Sequence, residues 1–493
     1  MRTLVIRFLV LFLLSSPVWA SGAEVVDPGL IAAIKSVDSI AVRAALDDGA
    51  DVTATELDGT TSLHWAVHAN DAVIVELLIA AGADPRAVNR YGVAPIALAC
   101  VNGNASIVKL LLDGGVDPNT MLAEGETVLM TAARTGALDV VKLLLDHGAD
   151  VNAADTWRGQ TALMWAAAEG HAQVIPAMLS HGVDVTARSD KGWTALLFAV
   201  RQGQIDVVQT LLEAGGNVDE KLPVEAETRR GGTSAERSAT GLNAFLLAAA
   251  NAHYELAALL IDRGADVNVA SRGWTALHQV SWVRKAGIAG SNNPAPTGSG
   301  AMTSLEFVKK VVAAGGDVNA RVTSRPPAGI TRLNFIGGTP FLLAARTGDA
   351  PLMRLLSELG ADPLLPNEDN TTPIMVAAGV GTAAPGEDPG TESEVLEAVQ
   401  VALDLGGDVN GVDDKGETAM HGAAWKHLPG VVEFLAEVGA DIKVWNQQNA
   451  REWTPLDIVG VHLDMNRQSS PVTAVAIRKA MEEAGVAPPP AGN

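Results

Sequence analysis

The feature that most constrains this chain is a sequence block that recurs at steps of mostly 33 or 34 residues. The segments GETVLMTAARTGALDVVKLLLDHGADVN (125–152), GQTALMWAAAEGHAQVIPAMLSHGVDV (159–185) and GWTALLFAVRQGQIDVVQTLLEAGGNV (192–218) align residue by residue. A threonine or its substitute marks each block, at positions 61, 94, 127, 161, 194, 243, 275, 339, 372, 418 and 454. Such a chain is expected to fold as a stack of like units, each packing on its neighbours.

A second register supports the first. The aspartate of a G-A-D step recurs at positions 51, 84, 117, 150, 184, 266, 317, 362, 408 and 441. Two independent registers that agree over most of the chain indicate a true sequence repeat. The larger steps of the threonine register, 49, 64 and 46 residues, indicate insertions.

Each block predicts two helices. An alanine-rich stretch from Thr127 to Arg134 forms the first helix, and Gly136 ends it. The apolar residues of 140–145 then recur at i, i+3 and i+4, which predicts a second helix with one buried stripe. Gly148 is expected to provide the left-handed residue at its end.

The block resembles the ankyrin repeat, a 33-residue unit of a β-turn and two helices that carries the pattern T-P-L-H-x-A. Thr61-Ser-Leu-His64, Thr275-Ala-Leu-His278 and Thr418-Ala-Met-His421 match the pattern most clearly. The resemblance implies an all-α repeat solenoid of helix-turn-helix units with short β-hairpin fingers.

The N-terminus predicts export. Arg2 and Arg7 precede an apolar run from Phe8 to Leu14, and Val18-Trp19-Ala20 places small residues at a signal-peptidase site. The run is too short to cross a bilayer, which takes roughly 20 residues. We therefore expect cleavage near Ala20, no membrane insertion, and a periplasmic or secreted protein that resembles exported bacterial ankyrin proteins.

These observations predict the domain organisation. We expect a signal peptide over 1–20, a linker and capping half-repeat over 21–52, about eleven repeats over 53–486, and a flexible tail over 487–493. Insertions are expected near 217–241, 284–303, 320–337 and 380–393.

Charge and cysteine content restrict the partners and the source of stability. The formal net charge is −22, so the surface repels phosphate backbones and anionic lipid, and nucleic acid is not expected as a partner. The single cysteine, Cys100, has no second thiol in the chain to pair with, so stability must come from packing. It occupies an alanine position of its repeat, which predicts a small buried side chain.

No pattern in the chain predicts an enzyme, a cofactor or a metal site. His64, His278 and His421 belong to the repeat pattern. Ser106 and Lys109 match an S-x-x-K motif, but they align with Asp139 and Lys142 of the next repeat, and the companion motifs S-D-N and K-T-G are missing from the sequence. The acidic loop 386–394 lacks the alternating ligand spacing of a calcium loop.

Five tryptophans are candidates for partner binding. Trp193, Trp274 and Trp453 precede the turn threonine, and Trp282 and Trp425 follow the paired small residues of the first helix. The resemblance implies that these variable positions face an inner groove that contacts other proteins, where tryptophan is a frequent hot spot. The alternative is that each packs on its own hairpin or on a neighbouring repeat.

Two insertions form a basic island in an acidic protein. Segments 284–303 and 320–337 contain no acidic residue, and their basic residues are Arg284, Lys285, Arg321, Arg325 and Arg332. We expect them to meet an acidic surface on a partner. The alternative is that they neutralise the acidic body of the protein.

Together these features predict a non-enzymatic, monomeric scaffold that binds another protein through its groove and central insertions in the bacterial cell envelope. The alternative function is a small-molecule or metal-ion binding module built on the inserted loops.

Overall fold

The computed structural model describes residues 27–222, 241–271, 273–285, 296–324, 332–382, 385–386, 389–460 and 469–489. The predicted signal peptide therefore lies outside the described residues, as does the end of the predicted tail. The chain divides into two compact units, an N-terminal unit over Met1–Asp184 and a C-terminal unit over Val185–Asn493.

The N-terminal unit consists of paired helices joined by hairpins. Its α-helices are α1 (Pro28–Lys35), α2 (Ser39–Asp47), α3 (Ser62–His68), α4 (Ala72–Ala80), α5 (Pro95–Asn102), α6 (Ala105–Asp113), α7 (Val128–Thr135), α8 (Leu138–Asp146), α9 (Ala162–Glu169) and α10 (Ile175–Ser180). Short 3₁₀ turns occupy Ala123–Gly125 and Ala172–Val174.

The C-terminal unit also consists mainly of paired helices. Its helices are α11 (Ala195–Gln202), α12 (Ile205–Glu213), α13 (Ala244–Ala250), α14 (Tyr254–Asp262), α15 (Ala276–Val283), α16 (Ser304–Ala313), α17 (Pro340–Arg346), α18 (Ala350–Glu358), α19 (Pro373–Ala378), α20 (Glu392–Asp404), α21 (Ala419–Lys426), α22 (Pro429–Glu437), α23 (Ile442–Trp445), α24 (Pro455–Gly460) and α25 (Pro471–Glu483).

In most blocks the turn residue caps the first helix of the pair through its side chain, but Ala94, at this position before α5, makes no such cap. The hydroxyl oxygen of Thr127 accepts a hydrogen bond from the backbone N–H of Met130 at 3.2 Å, and Thr194 caps α11 in the same way. Asn243, which replaces the threonine, accepts from the N–H of Leu246 at 2.9 Å. Such caps satisfy N–H groups that have no partner within the helix, which explains why the register tolerates threonine and asparagine.

Gly136 ends α7 for two physical reasons. Its φ of +69° lies in the left-handed region that glycine adopts without steric cost. A Cβ at this position would lie 2.5 Å from Nδ1 of His171, whose ring packs against the turn from the next repeat. Glycine therefore ends the helix and leaves room for the ring of the neighbouring histidine.

The histidines of the repeat pattern link successive repeats. Nδ1 of His64 lies 2.8 Å from the Thr61 hydroxyl, and Nε2 lies 3.0 Å from the carbonyl oxygen of Val93 in the next hairpin. His278 and His421 repeat this arrangement, and burial lowers the pKa of each to about 4. The prediction that these histidines belong to the framework is confirmed.

Asparagines at the ends of the repeats form a second link between neighbouring repeats. Oδ1 of Asn119 accepts from the backbone N–H of Asp150 at 2.7 Å, while its amide donates to the carbonyl of Gly148 at 3.2 Å. The same pair of bonds recurs between later repeats, at Asn152, Asn268, Asn319 and Asn410. Each asparagine therefore joins one repeat to the following repeat.

Apolar residues of both helices form the core. Val140, Val141 and Leu144 of α8 are fully buried, as the periodicity predicts. Cys100 is also fully buried, and burial raises the pKa of its thiol, which confirms its predicted packing role. In the described parts of the chain the hairpins contain isolated β-bridges, such as Met121 with Thr127, and no longer strands. The predicted all-α repeat solenoid is confirmed.

Among the residues with assigned structure, no helix is both long enough and apolar enough to span a membrane.

Candidate functional site

Trp193 packs onto its own repeat. Its side chain is 8% exposed, and its ring centroid lies 5.3 Å from that of Phe198. The guanidinium of Arg201 lies over the indole ring at 4.8 Å. This tryptophan contributes to the packing of α11 with the hairpin before it.

Trp274 and Trp282 are covered by a segment from the third insertion. Residues 332–335, which we call the finger, bring Leu333 and Phe335 into a buried cluster with Trp274. The ring of Phe335 lies 5.6 Å from that of Trp274 and 6.1 Å from that of Trp282, and Phe335 is only 1% exposed. The finger therefore occupies the surface that these two tryptophans would otherwise present.

Trp425 and Trp453 form a second aromatic pair, with ring centroids 5.7 Å apart. The indole N–H of Trp425 donates to both carboxylate oxygens of Glu417, at 3.2 and 2.9 Å. The guanidinium of Arg332, at the start of the finger, lies 4.3 Å over the Trp425 ring. Trp425 is 5% exposed, whereas Trp453 is half-buried.

These positions correct the expectation of an open tryptophan-lined groove. Trp193, Trp274 and Trp425 are buried, and Trp282 packs against the cluster around Phe335. The physical reason is that the finger packs on Trp274 and Trp282 and, through Arg332, on Trp425, whereas Trp193 is covered by side chains of its own repeat. Partial exposure remains at Trp282 and Trp453.

The expectation that Arg284 and Lys285 are free to meet an acidic partner is also corrected, since both are engaged within the chain. Arg284 binds the carboxylate of Asp349 through two nitrogens, at 2.6 and 3.1 Å, and donates to the hydroxyl of Ser304. Lys285 pairs with Glu394, and this contact holds the pKa of Glu394 below its usual range. These two cations therefore neutralise acidic groups of the protein itself.

The remaining basic candidates differ in their surroundings. Arg321 is exposed and donates to the carbonyl oxygen of Pro366 at 2.8 Å. Arg332 stacks on Trp425, which makes it part of the packed finger. Arg325 lies outside the described residues.

A different set of apolar side chains is exposed on the hairpins of the N-terminal unit. The exposed fractions are 55% for Leu57, 57% for Val88, 59% for Met121 and 60% for Trp157. Each residue lies four to six positions before the turn residue that precedes the first helix of its repeat, which is residue 61, 94, 127 or 161. These four residues, which we call the hairpin patch, belong to four successive repeats.

Backbone hydrogen bonds join the hairpins that carry this patch. The N–H of Arg90 donates to the carbonyl of Asp58 at 2.8 Å, and the N–H of Thr156 donates to the carbonyl of Glu124 at 2.9 Å. The guanidinium of Arg158 lies 3.9 Å over the Trp157 ring. Trp157 is thus an exposed aromatic side chain held on ordered backbone.

The hairpin patch was not singled out by sequence reasoning. Its signal lies in the alignment, because Leu57, Val88, Met121 and Trp157 are apolar but fall outside both helical stripes. Such residues have no core position to fill.

Possible metal ligands do not cluster in the described residues, where no group of three or more histidine, cysteine, aspartate or glutamate side chains has a geometry able to hold an ion.

Two family models agree with this architecture. Residues 63–155 and 153–221 match the family model of ankyrin repeats in three copies, and residues 240–272 match that of the single ankyrin repeat. Among solved structures, the ankyrin repeat domain of Bcl-3, a member of the IkappaB protein family, is 30% identical, with 40% of this chain and 90% of that chain covered and a TM-score of 0.36. No protein with a curated description matches the chain. Residues 63–221 and 240–272 are therefore ankyrin repeats, units that form scaffolds for protein–protein interaction.

Proposed function

We propose that the protein is a non-enzymatic scaffold that binds another protein through the hairpin patch of its N-terminal unit. The observation that carries this proposal is the exposure of four apolar side chains, Leu57, Val88, Met121 and Trp157, on successive hairpins. Single exposed apolar residues are ordinary on a protein surface, whereas apolar residues that together form a patch mark interaction sites. These four recur near the same place in successive repeats, which supports the proposal of a patch.

Trp157 is the expected centre of the binding energy. Tryptophan and arginine are enriched among interface hot spots, and here Arg158 stacks on the Trp157 ring. The stacked pair presents a large, pre-oriented surface, so little side-chain entropy is lost when a partner covers it.

The charge of the chain restricts the partner. A net charge of −22 opposes the approach of nucleic acid and anionic lipid, so the partner is a protein whose contact surface is apolar and not strongly acidic. The scaffold acts as a monomer in this proposal.

The proposed site of action is the bacterial cell envelope or the medium beyond it. The basic, apolar and small-residue segments of 1–20 have the order of a secretory signal, and Ala20 precedes the expected cut.

The test is capture of a partner by purified full-length protein and by matched surface variants. The wild-type protein is immobilised, proteins of the periplasm and the medium are passed over it, and the retained partner is identified by mass spectrometry. The affinity of that purified partner is then measured for Trp157→Ser, Met121→Ser and Val73→Ser.

Val73 is the matched control because it is 53% exposed in the same unit but lies on helix α4. We expect Trp157→Ser to weaken binding at least tenfold and Met121→Ser several-fold, with Val73→Ser unchanged. Equal affinity of all three variants for the partner would refute binding through the hairpin patch.

A further inference from the structure

A cavity of about 450 Å³ lies beside the second insertion, within the C-terminal unit. Its walls are Ala252 and Tyr254 at the start of α14, Val283 and Arg284 at the end of α15, and residues of 296–304. This volume falls within the usual range for small-molecule sites, about 300–1,000 Å³.

Tyr254 supplies an unused hydrogen-bond donor in this cavity. Its side chain is only 8% exposed, and the ring stacks on Phe307 with centroids 5.1 Å apart. The hydroxyl makes no hydrogen bond to any described residue, so it can donate to a molecule bound in the cavity. Burial raises the pKa of Tyr254 to about 12, so the hydroxyl keeps its proton at neutral pH.

Arg284 supplies a fixed cation at the same cavity. Asp349 accepts from Nε and one terminal nitrogen, and Ser304 accepts from the other terminal nitrogen. A guanidinium has five N–H groups, so donors remain after these three bonds. The side chain is 18% exposed, which leaves it accessible from the cavity.

Helix α16 adds a third favourable element. It is ten residues long, and its first residue, Ser304, lines the cavity together with its N-cap Thr303. The N-terminus of a helix attracts negative charge through its free N–H groups and the helix dipole. No acidic side chain is among the lining residues, in a chain whose net charge is −22.

Three carboxylates lie close to the cavity, and each already has a partner. Asp349 pairs with Arg284, Glu255 accepts from the backbone N–H of Ala301 at 2.7 Å, and Glu306 closes the capping box with Thr303. The other walls are apolar and include Val283, Pro296 and Met302. The cavity therefore combines a donor-rich end with an apolar wall.

We propose that this cavity binds a small organic carboxylate with an apolar body. The carboxylate accepts hydrogen bonds from the Tyr254 hydroxyl, the remaining N–H groups of Arg284 and the first N–H groups of α16. The apolar body packs against Val283, Pro296 and Met302. This site lies outside the hairpin patch and does not depend on the proposed protein-binding function.

The test is calorimetric titration of the full-length protein with octanoate, with octanol and inorganic phosphate as comparison ligands. We expect saturable octanoate binding and at least tenfold weaker binding of octanol, which lacks the charge. Phosphate is also expected to bind at least tenfold more weakly, because it has no apolar body.

Two variants locate the binding. Tyr254→Phe keeps the ring on Phe307 and removes only the hydroxyl, so octanoate affinity should fall about tenfold, as loss of one hydrogen bond to a charged group implies. Tyr91→Phe, at the only other tyrosine of the chain, is the control and should bind as the wild type does.

The double variant Arg284→Met with Asp349→Asn removes the cation without leaving a buried carboxylate, and it should abolish octanoate binding. The proposal is overturned if the wild-type protein shows no saturable binding of octanoate, if octanol or phosphate binds as tightly, or if Tyr254→Phe or the double variant keeps full affinity. Partner capture through the hairpin patch should be unchanged in Tyr254→Phe.

Discussion

At the scale of single residues, the ion pair of Arg284 and Asp349 joins the end of α15 to the start of α18. Asp349 is 1% exposed and also caps α18 by accepting from the N–H of Leu352 at 3.2 Å. A carboxylate so deeply buried depends on its cation, because desolvation of an unpaired charge costs several kcal/mol.

We expect Arg284→Met to lower the free energy of unfolding by about 3–5 kcal/mol, since the substitution leaves the Asp349 carboxylate buried without a partner. Denaturant unfolding followed by circular dichroism measures the change. Adding Asp349→Asn should recover most of the loss, because asparagine retains the cap and carries no charge. A double variant no more stable than Arg284→Met would show that the pair is not the cause.

Glu417 should give the protein a pH-dependent stability. Burial raises its pKa to about 7 from an ordinary value of 4.5, although the indole N–H of Trp425 donates to the carboxylate. Between these values the folded chain holds a proton that the unfolded chain has released. The contribution of protonated Glu417 to the free energy of unfolding is therefore complete below pH 4.5 and is lost as the pH rises to about 7.

The measurement is the difference in free energy of unfolding between the wild-type protein and Glu417→Gln. We expect this difference to fall by a few kcal/mol between pH 4.5 and 7. His421 supplies a control of opposite sign, because burial lowers its pKa to about 4 from 6.5 and its contribution is lost as the pH falls. A difference that stays constant as the pH changes would contradict a buried Glu417 carboxyl with a raised pKa.

At the scale of elements, the finger is the part of the fold that changes the functional interpretation most. Its Phe335 packs against Trp274 and Trp282, and the backbone N–H of Arg332 donates to the carbonyl of Gly381 at 3.0 Å. An inserted segment thereby fills a surface that the bare repeats would leave open.

Phe335→Ala should destabilise the C-terminal unit by about 3–5 kcal/mol and expose Trp274 and Trp282 to solvent. Acrylamide quenching of tryptophan fluorescence, read beside the melting curve, detects both effects. Arg321→Ala is the control from the same insertion, since Arg321 is exposed and the change should stay within about 0.5 kcal/mol. Unchanged quenching in Phe335→Ala would mean that the finger does not cover the tryptophans.

The sequence predicts the helices well because their determinants are local. The cap at Thr127, the stop at Gly136 and the apolar stripe of α8 all lie within one repeat. The course of the finger could not be predicted in this way, because Phe335 contacts Trp274 from far along the chain. The partners of Arg284 and Lys285 depend on the same kind of distant packing.

At the scale of the whole molecule, the repeat explains why so much of the fold follows from the sequence. Each repeat is joined to the next by the same few side chains, such as Asn152 at one end of a repeat and His64 at the other end. Stability is then close to a sum over units and their interfaces, so an insertion disturbs only the repeats that it touches.

The candidate site could not be predicted to the same extent. Tryptophan at a variable position indicates binding only if it remains exposed, and exposure depends on what the insertions cover. Trp274 and Trp425 are buried at such positions, while Trp157, in a hairpin, is 60% exposed. Composition does not distinguish these cases, but the three-dimensional packing does.

Site-specific photocrosslinking tests binding through the hairpin patch most directly. A benzoylphenylalanine is placed at position 121 or 157 of the full-length protein, and at the exposed positions Val73 and Val475 as controls. We predict that the captured partner crosslinks from positions 121 and 157 and not from 73 or 475. Crosslinking from the control positions, with none from 121 or 157, would contradict the proposed binding surface.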